Sequence, residues 1–135
     1  MKKLVIDTSK TEEGYSASCD SMPGWVVGYT GDFAGFREYV KESIDFWLEG
    51  TREDGEEYDA IFDGEYELQF KFDVQSLLYT YRNVFSFSAL ENITGINQRQ
   101  LCHYASGLKK PRKVQAERIA HGLHHLAAEL NAVTV

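Results

Sequence analysis

Between Glu65 and Asp73 the chain alternates without a fault: Tyr66, Leu68, Phe70 and Phe72 on one side, Glu65, Glu67, Gln69, Lys71 and Asp73 on the other. A period of two held this long means a strand with one wet face and one face that must be covered. From Val74 the period becomes helical, with Val74, Leu77, Leu78, Tyr81 and Val84 on one stripe. The charge changes sign at the same point. Met1 to Asp73 holds 7 Lys+Arg against 18 Asp+Glu, a net of −11; Val74 to Val135 holds 7 against 3, a net of +4, and together they give the chain's −7. Two modules are therefore expected, 1–73 and 74–135, with partners of opposite charge: a basic one for the first, a polyanion such as DNA for the second.

Composition excludes several classes. With 43% hydrophobic and 13% aromatic residues among 135, the chain can build real cores and is not a disordered one. No run approaches the roughly 18 apolar residues of a membrane span, and Met-Lys-Lys-Leu-Val-Ile-Asp meets an acid where a signal peptide would stay apolar. A cytoplasmic protein is expected. Cys19 and Cys102 fall in different modules without CxxC spacing, which predicts two small buried thiols rather than a disulfide or zinc site. His121, His124 and His125 could place two imidazoles on one metal, but no acid or thiol pattern accompanies them. No metal and no cofactor are expected.

In the acidic half, Leu4 to Ser9 and Tyr15 to Asp20 flank a polar turn ending in Gly14, predicting a hairpin. Met22-Pro23-Gly24 breaks the chain, and Trp25 to Thr30 resumes as a third strand whose Gly28 predicts a bulge or a close backbone approach. Asp32 is placed to cap a helix running to about Leu48, because Phe33, Phe36, Val40, Ile44, Trp47 and Leu48 recur at helical spacing while Arg37, Glu38, Lys41, Glu42 and Asp45 fill the other side. Gly50 is expected to end it. With the strand at 65–73 the order is β-β-β-α-β, read as an antiparallel sheet with one face under a single helix. The fold class is thus α+β, the second module being all-α.

The stretch from Gly50 to Gly64 holds six acids and one Arg. It reads either as a solvated, mobile insert or as a lure for a basic protein, with Glu53, Asp54, Glu56, Glu57 and Tyr58 at the contact and Tyr58, Ile61 and Phe62 as apolar anchors. Acid–base catalysis needs carboxylates held against a fixed apolar wall, which flexible acids lack. No catalytic residues and no enzymatic activity are expected.

The basic half carries a helix-turn-helix pattern. Ser86 can cap a helix that buries Leu90 and Ile93 and stops at Gly95, the residue best suited to a left-handed turn. Ile96 plugs the corner. Asn97 and Gln100 have capping-box spacing and open a second helix, whose Leu101, Tyr104 and Ala105 face inward while Gln98, Arg99 and His103 face out. Gln can pair with adenine in two places and Arg with guanine, so these side chains suit base readout. After Gly107, Lys109, Lys110, Arg112 and Lys113 form an acid-free loop suited to phosphates. A last helix is expected from about Val114 to Leu130 on Ile119, Leu123, Leu126, Ala127 and Leu130, with Gly122 marking a close helix contact. That helix is also a candidate dimer surface.

The stretch Thr94-Gly95-Ile96-Asn97, the helix Gln98 to Ser106 and the exit Ser106-Gly107-Leu-Lys-Lys-Pro111 resemble the phage-repressor-like (XRE-type) helix-turn-helix family. In that family the positions of Gln98, Arg99 and His103 lie toward the bases. One departure is Glu91, where the family usually has a small residue. The N-terminal order, a first strand, Gly14-Tyr15-Ser-Ala, Met22-Pro-Gly-Trp-Val-Val-Gly28 and a helix closing on Ser43-Ile-Asp-Phe-Trp-Leu-Glu-Gly50, resembles the HicB antitoxin family. This resemblance implies a partial RNase H-like toxin-binding domain and a promoter-binding domain. It implies a type II antitoxin that covers a small, basic, mRNA-cleaving HicA-type toxin and represses its own operon as a homodimer or higher oligomer.

Two other classes stay open at this level. A stand-alone transcriptional regulator would sense a small molecule in a pocket lined by Trp25, Phe36 and Trp47. A metal-dependent nuclease would use Asp7 and Asp20.

Overall fold

The computed structural model describes all residues, Met1–Val135. The chain separates into two compact units, Met1–Asp73 and Val74–Val135, divided where the period and the charge change. No helix is long and apolar enough to cross a membrane.

Unit 1 contains β1 (Lys2–Lys10), β2 (Gly14–Ser18), β3 (Val26–Thr30), α1 (Phe33–Glu53) and β4 (Tyr66–Phe72), with sheet order β3-β2-β1-β4. The sheet is mixed, which corrects the antiparallel expectation. β4 runs parallel to β1, setting Leu4 beside Leu68, Ile6 beside Phe70 and Thr8 beside Phe72. An antiparallel pair can be joined by a tight turn, whereas a parallel pair needs a long crossover. Here the 21 residues of α1 carry the chain from β3 past β2 and β1 to the far edge. Strict alternation in 66–72 specified the covered face of β4 but not the direction of its neighbour.

The ladder β2–β3 passes through Gly28 opposite Ser16 without a break, and a Cβ at Gly28 would meet nothing within 4 Å. Gly28 is therefore neither a bulge nor a close approach.

Helix α1 starts as the sequence suggests, the Asp32 carboxylate accepting from the Gly35 N–H at 2.8 Å. It buries Phe36, Val40, Ile44 and Leu48 against the sheet, each burial contributing about 1.5–3 kcal/mol. Phe33 and Phe36 meet Phe70 at 5.5 and 6.0 Å between ring centres. Trp25 and Phe36 are core residues, and the Trp25 Nε1–H donates to Ser43 Oγ at 3.0 Å.

Gly50 does not end α1, which continues to Glu53. Thr51 is buried and the Arg52 guanidinium lies 5.2 Å over the Tyr58 ring. Those contacts offset the roughly 1 kcal/mol that a helical glycine costs. The rest of the insert is tied down too. Asp59 caps a 3-10 turn, Ala60–Asp63, and Phe62 is buried against Trp47 (5.9 Å) and Tyr66 (5.4 Å).

Unit 2 consists of α2 (Val74–Thr80), α3 (Phe87–Thr94), α4 (Gln98–Ser106) and α5 (Lys113–Asn131) around Leu78, Leu90, Ile96, Leu101, Tyr104 and Ile119. Helix α2 is shorter than its apolar stripe: after Thr80 the chain turns, the Arg82 N–H donating to the Tyr79 carbonyl and the Val84 N–H to the Tyr81 carbonyl, and Val84 lies exposed. In α5, Ile119 is buried, Leu123 and Leu126 are half-buried, and Ala127 and Leu130 are exposed. The eight residues of α3 span about 12 Å against about 28 Å for the 19 of α5, so α3 can cover only part of that stripe. Gly122 does mark a close contact: a Cβ there would stand 2.5 Å from the Ile93 carbonyl oxygen.

Candidate nucleic-acid interface

Local rules build the turn between α3 and α4. Ser86 Oγ accepts from the Ala89 N–H at 3.0 Å and starts α3; Gly95 ends it with φ +75°, where a side chain would be strained. Thr94 Oγ1 donates to the Leu90 carbonyl at 2.7 Å and accepts from the Ile96 N–H at 3.2 Å, while Ile96 fills the corner as expected. Asn97 Oδ1 accepts from the Gln100 N–H at 2.9 Å, which opens α4. The capping box is only half made. The Gln100 side chain donates to the Tyr104 hydroxyl at 2.9 Å instead of reaching back to Asn97.

With Leu101 and Tyr104 buried, α4 presents Gln98, Arg99, Cys102 and Ser106 outward, and His103 is half-buried. Cys102 is thus exposed on the outer face of α4, contrary to the expectation of a buried thiol. Its position one turn after Gln98 and Arg99 puts it on their side of the helix. Cys19 is buried, and desolvation, chiefly, raises its thiol pKa. The His103 Nδ1 is enclosed without a hydrogen-bond partner, which leaves Nε2 as the nitrogen able to meet an outside group.

Two concavities flank this face. One, of about 630 Å³, is lined by Gly95, Ile96, Asn97, Arg99, Gln100, His103, Lys109, Gln115 and Arg118. The other, of about 740 Å³, is lined by Gln100, Tyr104, Lys109, Lys110, Arg112, Val114 and Gln115. Neither lining contains an acid. In the low-dielectric walls of a concave surface, clustered cations concentrate the field that attracts phosphates.

The structure therefore brings together Asn97, Arg99, Gln100, His103, Lys109, Lys110 and Arg112. Gln98 is exposed but lines neither concavity. Lys113 also stands apart, its ammonium 3.9 Å from the Glu117 carboxylate in a solvent-exposed pair of little energetic weight. Arg118 and Gln115 belong to the site although the motif does not include them. The guanidinium of Arg118 lies over Gly95, 2.7 Å from where a Cβ would stand, and donates to Gln115 Oε1 at 3.3 Å. Their spacing of three on the first turns of α5 was the only sequence signal.

The candidate contacts of unit 1 are arranged differently. Glu53 ends α1, Asp54 caps it, and Glu56 and Glu57 follow, all four exposed. Tyr58 is half-buried under Arg52, with its hydroxyl donating to Asp63 at 2.9 Å. Tyr58, Ile61 and Phe62 pack into the chain's own core, so they are not free anchors for a partner. Exposed instead is Phe46, on the outer face of α1 among Glu38, Glu42, Asp45 and Glu49. The acids on the polar side of the helix indicate this face from sequence, whereas the exposure of Phe46 on it is shown by the structure alone.

Comparison of the chain with protein-family models, curated proteins and solved structures returns no match in any of the three.

Proposed function

We propose that the chain is a DNA-binding antitoxin, in which unit 2 binds promoter DNA and unit 1 covers a small basic RNA-cleaving toxin of the HicA type. One observation carries the DNA-binding half of this reading. A capped helix presents Gln98, Arg99 and His103 beside two acid-free concavities that hold Arg99, Lys109, Lys110, Arg112 and Arg118. Arg and Gln at the start of such a helix suit base edges, and the surrounding cations suit phosphates that set its register. A repressor of this kind acts as a homodimer on half-sites about 34 Å apart.

The toxin-binding half rests on the family resemblance, including its partial RNase H-like fold, and on the sign of the charge. An RNA-cleaving protein needs a positive surface, and unit 1, at −11, can steer its association and compete with RNA. The exposed Phe46 within the acidic face of α1 supplies the apolar contact that the insert keeps for itself.

The test is co-expression of the full chain with the product of the adjacent reading frame, followed by co-purification and binding to the DNA upstream of both. A stable complex that protects cells from the neighbour and shifts that DNA is expected. A neighbour that is neither basic nor toxic, with no complex, would refute the antitoxin role.

A further inference from the structure

The turn between α3 and α4 is held at both ends by Glu91. Its carbonyl oxygen accepts from the Gly95 N–H at 2.8 Å and closes α3, and its side-chain Oε1 accepts from the Gln98 N–H at 2.9 Å and opens α4. The first N–H groups of a helix have no partner within it and point toward anions, which is why helices that meet DNA use them on phosphates. Here Asn97 takes the Gln100 N–H and Glu91 takes the Gln98 N–H. The chain's own carboxylate sits where a phosphate would bind. Unit 2 has only two other acids: Glu117, beside Lys113, and Glu129, near the end of α5.

We propose that the Glu91 carboxylate fills the anion position at the N-terminus of α4 and lowers the affinity of unit 2 for DNA of any sequence. This rests on the DNA-binding reading of unit 2. A protein whose loop and concavities are this cationic binds any duplex through its phosphates, and a fixed negative charge beside the reading helix trims that background. The same hydrogen bond ties the start of α4 to α3, so a purely structural clamp is the competing explanation.

Full-length protein with Glu91→Gln or Glu91→Ala separates the two. Each is titrated against a short fluorescent duplex of random sequence over a range of salt. Gln keeps an oxygen for the Gln98 N–H and loses the charge; one charge about 6 Å from a phosphate in water is worth about three-fold in affinity. Glu91→Gln should bind about that much tighter at low salt, with a salt slope steeper by up to about one. Glu91→Ala frees the N–H as well and should bind at least as tightly as Glu91→Gln. A Gln variant no tighter than the parent, or an Ala variant weaker than it, overturns the proposal in favour of the clamp. A parent chain with no salt-dependent affinity for the duplex would instead remove the DNA-binding reading itself.

Discussion

Gly50 and Gly122 both lie inside helices, yet replacing each by Ala should have opposite effects. Propensity alone predicts a gain of up to about 1 kcal/mol at either position. At Gly50 a Cβ meets nothing within 4 Å, so that gain should be realised, reduced somewhat by its nearness to the end of α1. At Gly122 the Cβ stands 2.5 Å from the Ile93 carbonyl oxygen, 3.1 Å from its carbon and 3.2 Å from Ile93 Cγ2. Ordinary contact lies near 3.5 Å, so α3 and α5 must separate by about 1 Å. The obstruction is backbone inside α3, which cannot swing away as a side chain end would. Overpacking of this kind costs about 1–3 kcal/mol, and the upper part of that range applies. Subtracting the propensity gain leaves a net loss of about 1–2 kcal/mol. Urea unfolding of the full chain gives the readout. Trp25 and Trp47, both in unit 1, report Gly50→Ala by fluorescence, and ellipticity at 222 nm reports Gly122→Ala through the helices. Stabilisation by both substitutions would refute the close α3–α5 contact.

Arg99→Ala should weaken operator binding by about 1–3 kcal/mol and relax preference at one base pair; equal loss on random DNA would sink its base-reading role. Lys109→Ala and Arg118→Ala should each lower affinity uniformly and flatten the salt slope by about 0.9, whereas Lys113→Ala should do neither; the slopes come from binding titrations at several salt concentrations. A maleimide should modify one thiol quickly, Cys102, and DNA should slow that reaction, while Cys19 reacts only on unfolding; two fast thiols by mass spectrometry would contradict the burial of Cys19. Phe62→Ala should destabilise unit 1 by about 3–5 kcal/mol in tryptophan-monitored unfolding, and Phe46→Ala by less than about 0.5 kcal/mol, so a mild Phe62 effect would restore the insert as a free loop.

The sequence by itself determined what depends on near neighbours. Caps at Asp32, Ser86 and Asn97, the left-handed turn at Gly95, the alternation of β4 and the inward positions Ile96, Leu101 and Tyr104 all follow from contacts within a few residues. The boundary after Asp73 was legible for the same reason, because a change of period and of charge is written locally. Tertiary structure decided what depends on partners far along the chain. β4 pairs with β1, some sixty residues earlier, and no pattern within either strand encodes their relative direction. Phe62 is taken into the core by Trp47 and Tyr66, so an insert that composition made polar is anchored by one aromatic residue. Arg118 joins Arg99 and Lys109 only because α5 passes beside the turn, and Glu91, a departure from the motif in one dimension, adds in three a second side-chain acceptor at the start of α4, beside the Asn97 cap. Helix and strand patterns set which face of an element is buried; the long-range packing of those faces sets which charges share a surface.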